Sequence, residues 1–126
     1  MRFCTTINCM DGRVQLPVIN YLRDQYRVEY VDSITEPGPI KIIAERQNST
    51  ILDNILLRID ISVKKHGSGL IAVVGHHDCA GNPESKAVQV RQIEQSINFL
   101  QKKYPDVELM GLWVDENWAV HELDRL

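Results

Sequence analysis

The sequence predicts one α/β domain over residues 1–126, with a mostly parallel sheet flanked by helices and an antiparallel strand at its C-terminal end. Apolar runs of strand length alternate along the chain with apolar stripes of helical spacing, which is typical of parallel sheets covered by helices. One run, Leu70–Val74, is continuously apolar, as expected of a central strand buried on both faces. The length allows one hydrophobic core and is too short for two ordinary domains.

The first third of the chain predicts a strand, a helix and a second strand. Residues 2–7 form the first strand, with Phe3 and Ile7 as its apolar members. A four-residue spacing then predicts a helix that ends near Tyr26. Its apolar stripe consists of Val14, Val18 and Leu22. Residues 27–32 alternate between polar and apolar types, which indicates an exposed or edge strand.

The middle of the chain predicts another short strand and a second helix. The Pro37-Gly38-Pro39 segment breaks the chain, and Ile40–Ala44 after it is predicted as a strand. Residues 48–50 offer N-cap side chains for the helix that follows. The apolar stripe of this helix consists of Ile51, Ile55, Ile59 and Val63.

The last part of the chain predicts a long helix and a closing hairpin. Asn82-Pro83-Glu84 is expected to open the helix, which runs to about Lys103. Its apolar stripe consists of Val90, Ile93, Ile97 and Leu100. Residues 107–114 and 119–123 then predict two strands joined as a hairpin.

Charge and composition argue against several classes of partner. A net charge of -3 and a pI near 5.8 give no basic surface for nucleic acid or an anionic membrane. Polar residues interrupt the N-terminal apolar residues, and no apolar run approaches the ~18 residues that span a bilayer. A cytoplasmic protein is therefore expected.

Three cysteines are too few for a disulfide scaffold and favour metal binding, catalysis or core packing.

Two short motifs carry the chemistry, and each directly follows a predicted strand. The first is Cys9-Met10-Asp11-Gly12-Arg13, and the second runs from Gly75 to Gly81. Reactive groups in open α/β sheets collect beyond the carboxyl ends of the strands, so Cys9, His76 and Cys79 are expected to meet. Two thiolates and one imidazole suit Zn²⁺ and leave the fourth tetrahedral position for water.

Asp11 and Arg13 are the predicted catalytic pair. A guanidinium can bind a carboxylate through two parallel hydrogen bonds, which orient the carboxylate and keep it ionised. Asp11 can then accept a hydrogen bond from zinc-bound water, whose pKa the metal lowers to about 7. The combination predicts attack of hydroxide on a small electrophilic carbon. Alternatively, Asp11 leaves Arg13 and occupies the fourth zinc position itself, which closes the site.

At these residues the chain resembles the β-class carbonic anhydrases, which carry C-x-D-x-R and, about sixty residues later, G-H-x-x-C-G. Cys9, Asp11 and Arg13 match the first motif, and Gly75, His76 and Cys79 match the second. Residues 112–115 and 120–123 are similar to the closing hairpin of that family. The resemblance implies one zinc on Cys9, His76 and Cys79, an Asp11–Arg13 dyad, and reversible hydration of CO₂. It also implies a homodimer, or a higher homo-oligomer, with the site near the subunit interface.

Four departures from the family pattern keep other functions open. Gly12 stands where the family has Ser, Ala80 stands where it has a second Gly, and residues 45–48 replace its R-N-x-G-N segment. The first predicted strand also begins almost at Met1, where the family has a helical arm. One alternative is a hydrolase of a CO₂-like molecule such as carbonyl sulfide or carbon disulfide. A second is a zinc-binding module without activity. A weaker third is an anion or nucleotide binder that uses the glycines and the helix N-terminus after Val74.

Overall fold

Five strands form one sheet in the order β2-β1-β3-β4-β5 in the computed structural model, which describes residues 1–124. The strands are β1 (Phe3–Cys9), β2 (Tyr30–Glu36), β3 (Leu70–His76), β4 (Glu108–Val114) and β5 (Val120–Glu122). The helices are α1 (Gln15–Tyr26), α2 (Pro39–Glu45), α3 (Ser49–Asp60) and α4 (Lys86–Lys103). A 3₁₀ turn (Gly12–Val14) precedes α1, and a π-helical turn (Ile61–Lys65) follows α3. The predicted domain extends to Leu126, and its residues 125 and 126 lie outside the described part.

The sheet is parallel except at its C-terminal edge, which confirms the predicted fold class. β1 pairs in parallel with β2 and β3, β3 pairs in parallel with β4, and β4 pairs antiparallel with β5. The pairing of β1 with β3 ends at Ile7 opposite Val73, whereas the pairing of β3 with β4 continues to His76 opposite Val114. The last three residues of β3 therefore extend beyond its ladder with β1.

Apolar side chains fill both faces of the sheet, and β3 contributes to both. Ile71 and Val73 pack into the core under α2, α3 and α4, whereas Leu70, Ala72 and Val74 pack into the core under α1. This alternation follows from the two-residue period of a strand. Full burial of one such side chain contributes about 1.5–3 kcal/mol, so the two cores hold β1 and β3 rigidly in the centre of the fold.

The prediction of a strand at Ile40–Ala44 is wrong, because these residues lie in α2. Gly38 in a left-handed conformation turns the chain, and Pro39 occupies the first helical position, where its missing N–H costs nothing. The resulting three-residue spacing places Ile40 and Ile43 in the core. A run of five mostly apolar residues does not distinguish a strand from a helical turn.

Two predicted boundaries also shift. β2 begins at Tyr30 and extends to Glu36, so it starts three residues later than predicted and remains an edge strand. α4 begins at Lys86, because the hydroxyl of Ser85 accepts a hydrogen bond from the N–H of Val88 and caps the helix there. None of the helices within residues 1–124 combines the length and apolarity needed to cross a membrane.

Candidate metal centre

Two neighbouring strand ends bring three metal-binding side chains together. Cys9 is the last residue of β1, His76 is the last residue of β3, and Cys79 follows in the loop after β3. Their ligand atoms all lie within 4.8 Å of one another, and the two sulfurs are 3.8 Å apart. All three residues are buried. The chain thus assembles the three predicted metal ligands at one point.

The environment of the cluster fits a metal ion. Nδ1 of His76 lies 2.7 Å from the carbonyl oxygen of His77, which leaves Nε2 to face the sulfurs. Nε2 is buried and has no hydrogen-bond partner within residues 1–124. A buried polar atom without a partner costs roughly 1–3 kcal/mol, and a bond to a metal removes that cost. Two sulfurs and one imidazole nitrogen are the donor set that suits Zn²⁺.

The two sulfurs affect each other's pKa, because they lie 3.8 Å apart and share a hydrogen bond. A hydrogen bond from Cys79 lowers the pKa of the Cys9 thiol to about 4 against the opposing effect of burial, and His76 lowers it further. The Cys9 thiolate and burial raise the pKa of Cys79. Burial disfavours the charged form of His76, but Cys9, the carbonyl oxygen of His77 and the charge of Asp11 together outweigh burial and raise the pKa of His76. A cation at this position would favour the thiolate forms, because metal and protons compete for the two sulfurs.

Backbone N–H groups contribute to the charge balance at both sulfurs. Those of Gly38 and Asp11 lower the pKa of Cys9, and those of Asn82 and Gly81 act in the same direction on Cys79. The two loops that carry these groups are packed without space between them. A Cβ on Gly81 would lie 2.6 Å from the carbonyl carbon of Pro37, and one on Gly38 would lie 2.7 Å from Cβ of Asn82.

Arg13 holds the carboxylate of Asp11 from two directions. Its Nη2 donates to Oδ2 of Asp11 at 2.7 Å, its Nε donates to Oδ1 at 3.1 Å, and its backbone N–H donates to Oδ1 at 2.9 Å. These hydrogen bonds, led by the guanidinium, lower the pKa of Asp11 to about 2 despite partial burial. The predicted pair therefore forms, with the carboxylate ionised at neutral pH.

Arg13 also connects the two motifs. Its Nη2 donates to the carbonyl oxygen of Asp78 at 3.1 Å, and its Nη1 lies 3.3 Å from a carboxylate oxygen of the same residue. The guanidinium carbon lies 4.4 Å from the ring centroid of Trp118. Sequence reasoning missed the contacts of Asp78 and Trp118 with Arg13. The position of Asp78 between two predicted ligands was the available signal, since a charged residue there must lie near the cluster.

A surface cavity of about 650 Å³ lies beside the centre and reaches Cys79. Trp113, His77 and Lys86 are among the residues that line it. His77 is exposed there, while its backbone N–H donates to Val114 at 2.9 Å. His77 is therefore held through its backbone, and its exposed side chain lines the same cavity as Cys79.

A family described as "Putative carbonic anhydrase" matches residues 1–124 of the chain. No curated protein is significantly similar to it. The fold is similar to a structure described as one of two tetrameric β-carbonic anhydrases from the ascomycete Sordaria macrospora. The TM-score is 0.67 at 14% identity, over 98% of this chain and 81% of the other. 

Two further structures are similar at the same identity. The β-carbonic anhydrase CcaA gives a TM-score of 0.61 at 14% identity, over 98% of this chain and 81% of the other. CafA of Aspergillus fumigatus gives 0.56 at 14% identity, over 98% of this chain and 75% of the other. At this identity the likeness shows the fold, and the family match extends over both motifs and the sheet that carries them. The chain belongs to the carbonic anhydrase family and has the fold of the β-carbonic anhydrases.

Proposed function

We propose that the protein is a zinc enzyme that reversibly hydrates CO₂ to bicarbonate, with one Zn²⁺ per chain held by Cys9, His76 and Cys79. The observation that carries the proposal is a buried cluster of two sulfurs and an imidazole nitrogen, unpartnered within residues 1–124, near the carboxylate of Asp11, whose pKa Arg13 lowers to about 2. Zinc with three protein ligands supplies a Lewis acid that makes hydroxide available near neutral pH. The family membership favours CO₂ as the electrophile.

In this proposal Asp11 orients the reacting water. A carboxylate has about four lone-pair sites. Three hydrogens of Arg13 occupy three of them: the backbone N–H binds Oδ1, Nη2 binds Oδ2, and the single Nε–H is shared between Oδ1 at 3.1 Å and Oδ2 at 3.2 Å. The remaining site accepts a hydrogen bond from water, which fixes the direction of the water's lone pairs. The low pKa of Asp11 ensures that it accepts this hydrogen bond throughout the neutral range.

Arg13 is the residue that keeps Asp11 in this role. It is itself held by Asp78 and Trp118, so a swing of Asp11 toward the cluster would break three hydrogen bonds and leave the guanidinium in place. The arrangement therefore favours the open form of the site over the form in which Asp11 is a fourth ligand.

Stopped-flow CO₂ hydration on zinc-loaded protein tests the proposal, with metal content measured on the same samples. We expect one zinc per chain in the wild type and in Asp11→Ala, and a hydration rate about 10²–10⁴-fold lower in the variant, as for loss of an acid–base group. Asp53→Ala is the matched control, because it removes an exposed carboxylate from α3, which contributes no residue to either motif. 

A wild-type rate equal to that of buffer, with zinc fully bound, would refute CO₂ hydration. The same nucleophile would serve carbonyl sulfide or carbon disulfide, so their hydrolysis by the wild type would then identify the alternative enzyme. Lack of all three activities, with unchanged metal content in Asp11→Ala, would identify a zinc-binding module. Residues 45–48, which stand in place of the R-N-x-G-N segment of the family, motivate this second candidate.

We further propose that the chain forms a homodimer or a higher homo-oligomer. The Sordaria macrospora enzymes are described as tetrameric. Two exposed apolar side chains lie close in sequence to Cys9: Met10 is 61% exposed and Leu16 is 68% exposed. Sedimentation of the wild type and of Leu16→Glu measures the state, and a monomeric wild type would refute the proposal. The organisation as one domain and the cytoplasmic location stay predictions.

A further inference from the structure

The backbone of His76 lacks a strand partner on the side toward β1. β3 pairs with β1 only as far as Val73, three residues before His76. The N–H of His77 donates to Val114 of β4 at 2.9 Å. Because backbone groups alternate between the two edges of a strand, the N–H and C=O of His76 point away from β4. They therefore face the side of β1, beyond the point at which β1 and β3 are hydrogen-bonded to each other.

The side chain of Gln89 fills that position. Its Oε1 accepts a hydrogen bond from the N–H of His76 at 3.1 Å, and its Nε2 donates to the carbonyl oxygen of His76 at 2.9 Å. Nε2 also donates to the carbonyl oxygen of Glu84 at 3.2 Å. Gln89 is 1% exposed and lies in the first turn of α4. A primary amide has one acceptor and two donor N–H groups, so this side chain replaces a strand's peptide group.

The amide of Gln89 also determines where the imidazole of His76 lies, because the other contacts of the ring leave its position to its own backbone. The ring is held at Nδ1 by the carbonyl oxygen of the next residue, His77, and Nε2 is free for a ligand bond. The ring therefore follows the position of its own backbone, which Gln89 fixes. Gly75 leaves the necessary space, since a Cβ there would lie 3.0 Å from Oε1 of Gln89.

We propose that Gln89 is a positioning residue of the metal centre: its amide acts as a surrogate strand and sets the place from which Nε2 of His76 meets the two sulfurs. The inference rests on the metal-binding part of the proposed function. It does not require that CO₂ be the substrate. A ligand held only by its own side chain would have to be ordered when the metal binds, which lowers affinity.

The test is the affinity of the purified full chain for Zn²⁺ and Co²⁺, by competition with a chromophoric chelator, in wild type and Gln89→Met. Methionine keeps the length of the side chain and removes all three hydrogen bonds, two with His76 and one with Glu84. We expect the affinity for metal to be about 10–100-fold lower in the variant, as for loss of a group that holds a metal ligand in place by hydrogen bonds. The cobalt absorption bands, which depend on ligand geometry, should also change shape.

Gln101→Met is the matched control. Its amide also donates to two backbone carbonyls, those of Tyr104 and Val107, but at the far end of α4. We expect wild-type affinity and spectrum in this variant. If Gln89→Met does not fold, Gln89→Asn keeps an amide and withdraws it by one methylene, and the same loss of affinity is expected.

A double-mutant cycle separates positioning from general stability. If Gln89 acts through His76, then Gln89→Met should not weaken cobalt binding further in a His76→Ala background. An equal loss in both backgrounds, or affinity within twofold of the wild type in Gln89→Met, would overturn the inference. Failure of the wild type to bind either metal would overturn the proposed function and this inference together.

Discussion

Gly38 offers a sharp test of how the fold supports the metal centre. It adopts a left-handed conformation, φ +65°, at the N-terminus of α2, and its N–H lowers the pKa of Cys9. Gly38→Ala adds a Cβ that would lie 2.7 Å from Cβ of Asn82 and 3.0 Å from the backbone of Gly81. The change therefore combines an unfavourable backbone conformation with a collision between two loops.

The backbone conformation and the collision each lower the free energy of unfolding by an amount that can be estimated. A left-handed conformation costs a residue with a Cβ about 1–2 kcal/mol. Forcing an extra carbon into a closely packed site costs roughly 1–3 kcal/mol. We therefore expect Gly38→Ala to lower the free energy of unfolding by about 2–5 kcal/mol, a large part of the ~5–15 kcal/mol that holds a domain together.

Two other glycines separate the cost of the left-handed backbone from the cost of the collision. Gly67 is also left-handed, φ +72°, but a Cβ there would meet no atom within 4 Å, so Gly67→Ala should lose only about 1–2 kcal/mol. Gly81→Ala has only the collision, with Pro37 at 2.6 Å, and should lose roughly 1–3 kcal/mol. Urea unfolding in the presence of a chelator measures all three. With a slope of about 1–3 kcal/mol per molar urea, a loss of about 2–5 kcal/mol shifts the midpoint of Gly38→Ala by roughly 0.7–5 M.

The same variants report on the metal centre. Gly38→Ala moves an N–H group away from Cys9, so zinc affinity should fall in this variant and stay at the wild-type value in Gly67→Ala. If Gly38→Ala were no less stable than Gly67→Ala, the loop packing would not carry the energy assigned to it. If its zinc affinity were unchanged, the N–H of Gly38 would not support the thiolate.

Three further predictions concern metal linkage, thiol reactivity and pH. Zinc at 100 times its dissociation constant should stabilise the wild type by about 2.7 kcal/mol in thermal unfolding, and much less in Cys79→Ser; equal stabilisation would place the metal elsewhere. Burial, with Asp32, raises the pKa of Cys4 to about 11, so peptide mapping should find it unalkylated by iodoacetamide at pH 8 in the native protein and modified in urea. Burial and Asp60 raise the pKa of Tyr104 above its ordinary value of 10.0, so the folded protein holds this proton more tightly than the unfolded chain. Stability should be fully present below pH 10 and fall above it, and urea midpoints at pH 9 and 11 should fall less in Tyr104→Phe.

The periodic parts of the fold could be predicted because their signal is local. A continuous apolar run identified β3, and four-residue stripes identified α1 and α3. α2 was misassigned because its conformation is decided by the left-handed Gly38 before it, and a short apolar run contains no such information. The start of α4 was set by the cap at Ser85 rather than by the earlier proline.

The metal ligands could be predicted because they lie at or just after the ends of two strands. The residues that position these ligands could not be predicted. Cys9 and His76 end β1 and β3, so the sheet itself brings them together. Gln89 and Trp118 reach the site from α4 and from the turn before β5, and only tertiary packing sets those distances. A buried amide and an aromatic ring have core functions in most positions, so residue type alone did not single them out.

The peptide groups directed at the two sulfurs have a consequence for how this centre tolerates change. Four N–H groups, at Asp11, Gly38, Gly81 and Asn82, offset negative charge that side chains would otherwise have to balance. Ordinary substitutions at such positions keep the donor, because every residue except proline has one. The electrostatic character of the centre is therefore encoded in the path of the main chain, and a proline at one of these four positions is the single exchange that deletes a donor outright.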